Sequence, residues 1–313
     1  MMNLKLHLEK LQHGEKVMSK KCKKLLDLYI PKNKINGHTL RGVLTFDETC
    51  LVKETKDFYI VPRETFKFSE LEDLGIECDE YVQDYKRINL FPKKGFSLLP
   101  HQEEAWESLK DINTGGILNL ACGKGKTIMG LYLAAYLKVP TLIVSSQRAH
   151  LENWEAELKT FFKGRYSIGW VQGKTMDWNK DIVFATVQTL AKKKDILPSE
   201  FSDHFGLAIY DECHCMAAEM FSKAANIVSG VRLGLSATPN RTDHKEGIFI
   251  AHLGKVLFRD LEQDLIPILK VIRTDLSIGA REDKQLKDRS GMYNLMKIRS
   301  YLATHTDRNN LIK

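Results

Sequence analysis

Two clusters of chemistry-bearing residues stand out in the 313-residue chain. The first is Cys122-Gly123-Lys124-Gly125-Lys126-Thr127, set between the apolar runs "GGILNLA" and "IMGLYLAAYL". Glycine costs backbone entropy and neighbouring lysines repel, so this composition points to something negative held between two hydrophobic segments. Glycines at 123 and 125 allow the dihedrals that aim successive N–H groups inward. With a strand before it and a helix after it, the turn is a phosphate cradle. Lys126 is placed to reach β- and γ-phosphates, and the Thr127 hydroxyl to ligate Mg²⁺. The full eight-residue pattern asks for glycine at position 120, where this chain has Leu120. The competing reading is a glycine-rich turn closed by a helix cap.

The second cluster is Asp211-Glu212, directly after the apolar run "FGLAIY". Ligands of open α/β sheets bind at the carboxyl ends of the strands, which is where this pair falls. Two adjacent carboxylates divide naturally into roles: Asp211 holds Mg²⁺ through water, and Glu212 orients and deprotonates the attacking water. The plainer reading is a solvated acidic turn, but such a turn seldom follows a buried strand downstream of a phosphate loop. ATP and Mg²⁺ are therefore the expected cofactors. Cys213-His214-Cys215 has the donor types of a metal site, yet on a strand neighbouring side chains point to opposite faces, so no metal is expected there.

The elements that must position these clusters are legible in the hydrophobic pattern. After residue 95, strand-like runs ("GGILNLA", "PTLIVSS", "DIVFATV", "FGLAIYD", "RLGLSAT") alternate with helical candidates at 126–138, 148–162 and 216–228. Strands buried on both faces and separated by helices imply a doubly wound, mostly parallel α/β sheet. Before residue 95 the pattern predicts a helix over about 4–29 and β-like runs "LRGVLTF", "CLVKET" and "FYIVPRE", together a small α+β accessory domain over residues 1–94. The net charge of +7 is uneven: residues 1–34 hold nine lysines against Glu9, Glu15 and Asp27, whereas 35–84 hold five basic and twelve acidic residues. The basic segment either touches nucleic-acid phosphates or is the solvated face of a helix. No apolar run approaches the roughly 20 residues of a membrane span, and the start lacks the apolar core of a signal peptide. Six cysteines without a C-x-x-C pair suit a reducing intracellular setting, cytosolic or nuclear.

"ACGKGKT", "DECH" and "LGLSATPNRTD" resemble motifs I, II and III of superfamily-two helicases and translocases. "LLPHQEEAW" is similar to their adenine-recognising Q region, and "TLIVSSQRAHLENWEAEL" and "DIVFATVQTL" to two DNA-contacting motifs. "GIFIAHLGKVLFRDLEQDLIPILKV" and "HTDRNNLI" are similar to the segment that joins two motor domains. The resemblance covers roughly 95–313 and is nearest to the XPB-like group, which includes phage branch-migration helicases of the UvsW type and poxvirus transcript-release helicases. It implies a RecA-like fold, with the first motor domain over 95–265 and a connector over 266–313. It implies that Gln102 reads adenine, that Gln147, Arg148, Thr186 and Gln188 contact the phosphate backbone of one strand, and that His214, Ser236 and Thr238 couple the two sites. The family usually carries Pro-Thr where this chain has Ser146-Gln147, and Arg where it has Leu99. Trp154 and Trp170 are expected in the core, with stacking on bases as the alternative.

Helicases of this group need a second RecA-like domain with an arginine finger, usually within Q-x-x-G-R-x-x-R, and no such pattern occurs in this sequence. The expectation is therefore the accessory domain plus first motor domain of an ATP-dependent DNA translocase on branched or duplex substrates, the second domain lying beyond this chain or on another. An RNA-acting or transcript-release translocase, and a nucleic-acid-binding module that binds ATP without productive hydrolysis, are the alternatives.

Overall fold

The computed structural model describes residues 22–24, 26–73, 75–80, 83–216, 218–237, 246–261, 279–288 and 291–312. The chain forms two compact units, divided at Gln263–Asp264.

The first unit opens with β1 (Cys22–Lys24), β2 (Asp27–Pro31), α1 (Gly37–Val43), β3 (Lys53–Glu54), β4 (Phe58–Pro62), α2 (Phe68–Asp73) and β5 (Cys78–Glu80). The strands make a sheet in the order β3-β4-β2-β1-β5, antiparallel except for the β1–β5 pair. Two expectations fail here. The helix expected over 4–29 is replaced by strands at 22–24 and 27–31, and its earlier part, 1–21, lies outside the described residues. "DLYIP" alternates, with Leu28 and Ile30 fully buried and Tyr29 partly exposed, a period-2 pattern that favours a half-buried strand over a helix. "LRGVLTF", read as a strand, lies mostly in α1. The Asn36 side chain caps that helix by accepting from the amides of His38 and Thr39, and Leu40 and Leu44, one turn apart, go into the core.

The motor body follows as α3 (Pro100–Leu109), β6 (Gly115–Leu120), α4 (Lys126–Leu137), β7 (Thr141–Ser145), α5 (Arg148–Phe161), β8 (Ile168–Gln172), β9 (Thr175–Met176), β10 (Ile182–Thr186), α6 (Val187–Lys193), α7 (Ser199–His204), β11 (Leu207–Tyr210), α8 (Ala218–Ala225), β12 (Val231–Ser236), α9 (Glu246–Leu253) and β13 (Val256–Asp260). Its sheet runs β9-β8-β10-β7-β11-β12-β6-β13, parallel throughout except for the edge hairpin β8–β9. Alternation explains the layering. Ile143 of β7 faces Met129, Leu133, Leu151 and Leu158 of α4 and α5 in one apolar layer. Its neighbours Leu142 and Val144 face the other, with Phe201, Phe221 and Phe249. This is the doubly wound α/β architecture of RecA-like domains.

The accessory sheet sits on the motor body. Leu28, Ile30, Leu40, Val61 and Leu71 share an apolar cluster with Ala218 of α8 and Ile248 and Ala251 of α9. Arg63, 5% exposed, spans the junction: its guanidinium donates to the carbonyls of Thr114, Ser229 and Gly230 and pairs with Glu64 at 3.1 Å.

The second unit contains α10 (Ala280–Leu286), α11 (Leu295–Thr304) and α12 (Thr306–Ile312). Between α10 and α11 the Tyr293 hydroxyl donates to Asp283 at 2.6 Å, and Lys287 Nζ stands 4.8 Å from the Tyr293 ring centroid.

Candidate nucleotide site and the adjoining polar edge

The turn after β6 has the conformation its glycines permit. Gly123 and Gly125 sit at φ of +84° and +81°, left-handed values that a side chain disfavours. A Cβ at residue 125 would also lie 2.3 Å from Gln102 Nε2, so a side chain there would have to push that amide off the loop. Gln102, buried on the first turn of α3, supports the loop from beneath. Its Nε2 donates to the Lys124 carbonyl (3.3 Å) and its Oε1 accepts from the Leu99 amide (3.0 Å). His101 Nε2 lies 3.3 Å from the same Lys124 carbonyl. Cys122 is exposed at the rim, and Thr127 is half-exposed on the first turn of α4.

Lys126 begins α4 and turns back toward the carboxylates. Its Nζ donates to the Leu120 carbonyl at 3.3 Å and stands 3.2 Å from Glu212 Oε1. Asp211 continues the end of β11, its amide donating to the Val144 carbonyl. Its Oδ2 accepts the Trp154 indole N–H at 2.8 Å. Burial pushes the Asp211 carboxyl above its ordinary range, the indole bond opposing the shift. Burial, and then the charge on Asp211, push Glu157 of α5 in the same direction. Glu212 has φ 48° and ψ 46°, a left-handed conformation that costs a non-glycine residue roughly 1–2 kcal/mol and turns its carboxylate toward Lys126.

Cys213-His214-Cys215 is a 3-10 turn, so the strand argument used above does not apply to it. Cys213 is buried, Cys215 is exposed, and His214 Nδ1 points between Ser236 Oγ (2.9 Å) and Glu212 Oε2 (3.4 Å). Three of the expected coupling and catalytic residues, Glu212, His214 and Ser236, are thus in contact. Thr238 lies outside the described residues.

Asp260 was not singled out by the sequence. It ends β13, in register with Leu120, and its carbonyl accepts the Ala121 amide at 2.8 Å. Its carboxylate stands 3.5 Å from Lys124 Nζ, so the second lysine of the loop is paired. The signal was available: "VLFRD" is an apolar run ending in an acid, as "LAIYD" is.

The remaining expected residues lie at the carboxyl ends of β7 and β10: Thr186 closes β10, and Gln147, Arg148 and Gln188 stand where the following helices start. Ser145 of β7 is opposite Thr186 of β10, and the Gln188 amide donates to the Ser146 carbonyl at 2.9 Å. Thr186 Oγ1 is 2.8 Å from Thr189 Oγ1 and buried, whereas Gln147 and Arg148 are exposed where α5 starts. Arg148 donates to Glu152 (2.7 Å) and to Gln172 of β8 (3.0 Å), with its guanidinium 5.4 Å from the Trp170 ring centroid. Gln172 is a further polar group at this edge that the sequence did not single out. Trp154 is core, 1% exposed. Trp170 is half-buried, its ring 5.2 Å from that of Phe184.

These residues fit a magnesium nucleotide. The loop holds residue 125 at a left-handed φ that favours glycine, a lysine stands at the helix start, and a buried carboxylate and a second acid face it across the turn. Thr127 and Asp211 are the oxygen donors suited to a hard divalent cation, and Lys126 and the loop amides suit phosphate oxygens.

Residues 95–241 match the family described as type III restriction enzyme, res subunit. The chain is 32% identical over 165 residues to the DNA 3'-5' helicase XPB of Kineococcus radiotolerans, covering 51% of this chain and 29% of that protein. It is 30% identical over 216 residues to the DNA 3'-5' translocase XPB2 of Sulfurisphaera tokodaii, covering 67% of this chain and 47% of that one. The chain therefore spans less than half the length of these relatives. Among solved structures, the UvsW helicase of bacteriophage T4 shares the fold, with a TM-score of 0.54 at 17% identity, covering 77% of this chain and 100% of that one. Over these residues the chain is thus similar to helicases and translocases of the XPB group, and it shares the fold of the UvsW helicase.

Proposed function

We propose that this chain forms one wall of an ATP-dependent nucleic-acid motor that translocates on DNA and remodels branched or duplex substrates. The observation that carries the reading is the Lys126–Glu212 contact beside the glycine-shaped loop, with a polar edge on the neighbouring strands of the same sheet. Lys126 and Glu212 hold each other in the structure as it stands. When Lys126 turns to phosphate oxygens, Glu212 loses its counter-ion and is free to take a proton from an attacking water. Thr127 and Asp211 would hold a bound Mg²⁺, which would neutralise charge on the phosphate oxygens. Adenine recognition is assigned to Gln102, whose amide here ties α3 to the loop through Leu99 and Lys124. His214 and Ser236 connect Glu212 to β12, and with Thr238 form the path toward the nucleic acid. Gln147, Arg148, Thr186 and Gln188 grip backbone phosphates without reading sequence.

Residues 1–94 act in this reading as an accessory domain, 95–265 as the motor domain and 266–313 as a connector. A second RecA-like domain supplies the opposite wall and an arginine, a contribution worth about 10³–10⁵ in rate. Residues 1–313 alone accordingly bind nucleotide weakly and hydrolyse it slowly. The test compares ATP turnover by these residues, and by the same chain joined to a second RecA-like domain, with branched DNA, duplex DNA, single strands and RNA. The expected result is strong stimulation by branched or duplex DNA in the longer protein only. Preferential stimulation by RNA would replace the DNA reading, and absence of turnover under every condition would leave an ATP-binding module.

A further inference from the structure

Trp154 belongs to none of the roles assigned so far, yet it is the buried side chain that touches the most consequential group in the molecule. It lies on the second turn of α5, in the apolar stripe Leu151-Trp154-Leu158 that faces the sheet. A tryptophan in such a stripe needs only to fill space. This one also donates its N–H to Asp211 Oδ2, at 2.8 Å in a buried setting where a hydrogen bond to a carboxylate is strong. Its six-membered ring lies against α4 where Gly130 leaves room. A Cβ at residue 130 would stand 2.6 Å from Trp154 Cη2 and 3.2 Å from Ile209 Cδ1. The indole is thus wedged between the helix that starts at Lys126 and the strand that ends before Asp211.

The start of the same helix is at the polar edge. Gln147 and Arg148 open α5, Arg148 is fastened to Gln172 of β8, and the Gln188 side chain holds the preceding Ser146 carbonyl. Between Arg148 and Trp154 there are fewer than two helical turns, about 9 Å of rigid rod at 1.5 Å per residue. Anything that draws the start of α5 toward a phosphate backbone moves the indole, and with it the donor that holds the Asp211 carboxylate. Packed elements of this kind shift as units, because close-packed interiors do not deform locally.

We propose that Trp154 is a positioning residue that carries nucleic-acid occupancy at the start of α5 to the carboxylate of Asp211. The inference rests on the functional reading above and adds a residue and a route to it. Nucleic acid bound at Gln147 and Arg148 and magnesium nucleotide bound at Asp211 are then coupled, and the coupling is reciprocal.

The experiment measures that coupling in the full 313-residue chain. Binding of a fluorescent branched oligonucleotide is followed by anisotropy with and without Mg·ADP, and Mn²⁺ binding in the presence of ADP by electron paramagnetic resonance with and without the oligonucleotide. The variants are Trp154→Phe and a chain with β-(3-benzothienyl)alanine at 154, which keeps the ring volume and replaces only the N–H by sulfur. In the wild-type chain each ligand changes the affinity of the other by at least about fivefold. In both variants that factor falls to near one, while oligonucleotide affinity without nucleotide stays within about twofold of wild type. Should Trp154→Phe fail to fold, the isosteric variant decides. Wild-type coupling retained in a folded variant overturns the inference, as does wild-type binding of both ligands without coupling. If the wild-type chain binds neither Mg·ADP nor the oligonucleotide, the functional reading fails first and the inference with it.

Discussion

At the scale of single residues the site is defined by one ion pair. Lys126 and Glu212 are largely buried, with side-chain exposures of 11% and 21%, and each is the other's counter-ion across 3.2 Å. Removing either has an asymmetric result. Lys126→Ala deletes the charge that phosphate needs and leaves Glu212 turned toward the loop unneutralised, so repulsion adds to the lost attraction. We expect nucleotide affinity to fall at least about tenfold with the fold retained, measured by titration with a fluorescent ADP analogue and by thermal melting. Glu212→Gln removes the competitor for Lys126. Mg-nucleotide affinity should therefore hold or rise, while turnover in a protein that contains both walls falls by about 10²–10⁴, the range for a lost general base. The defect belongs in kcat and not in KM. A fall in nucleotide affinity as large as that of Lys126→Ala would make Glu212 a binding residue.

At the scale of elements the junction between the accessory sheet and the motor body depends on Arg63. Its guanidinium serves three backbone carbonyls, those of Thr114, Ser229 and Gly230, that belong to loops of the motor body. Lysine keeps the charge but cannot present the planar fork that reaches all three. Arg63→Lys should lower unfolding stability by about 1–3 kcal/mol, and Arg63→Ala by more, because alanine leaves all three carbonyls without their donor and Glu64 with the Thr114 hydroxyl but no Arg63 charge. Denaturant titration checks the order; equal midpoints for all three proteins would show that the junction does not depend on this side chain. The same element shows where sequence reading stops. Strands buried on both faces were legible because five apolar runs repeat with helical segments between them, and the phosphate loop and the Asp-Glu pair were legible because their residue types are costly anywhere else. Arg63 in "VPRE" carries no such signature, since its partners are carbonyls 51 to 167 residues away. Trp154 likewise reads as a stripe residue; that its N–H meets Asp211 is set by the packing of α5 over the end of β11. The short strands at 22–24 and 27–31 were missed because lysine-rich sequence with leucines favours helix locally, and burial of Leu28 and Ile30 against the motor body overrides that preference.

At the scale of the molecule the accessory sheet and motor body are joined through charges that the chain has buried, and these set its response to pH. His252 of α9 is 1% exposed, its Nε2 is 2.9 Å from Ser222 Oγ, and its Nδ1 has no partner. Burial holds its pKa well below the ordinary 6.5, and the cations Arg232, Lys194 and Lys53 press the same way. Above pH 6.5 the imidazole is neutral in both folded and unfolded chains, and no stability is lost. As pH falls through 6.5 the unfolded chain takes up a proton that the folded chain refuses, so stability declines with acidification. The slope from this one group approaches about 1.4 kcal/mol per pH unit. Asp27, across the same junction, has the opposite sense: burial raises its pKa from 3.8, so the folded chain holds its proton more tightly and gains stability as pH drops through that raised value. Comparing wild type with His252→Gln separates the two, because glutamine keeps a polar end for Ser222 and does not titrate while Asp27 is common to both. Urea midpoints between pH 7.5 and 5 should fall more steeply for the wild type, the difference in slope approaching one proton, with the variant less stable at pH 7.5 and the gap narrowing toward pH 5. Parallel pH profiles for the two proteins would show that His252 is protonated equally in folded and unfolded chains, and that the junction does not hold it neutral.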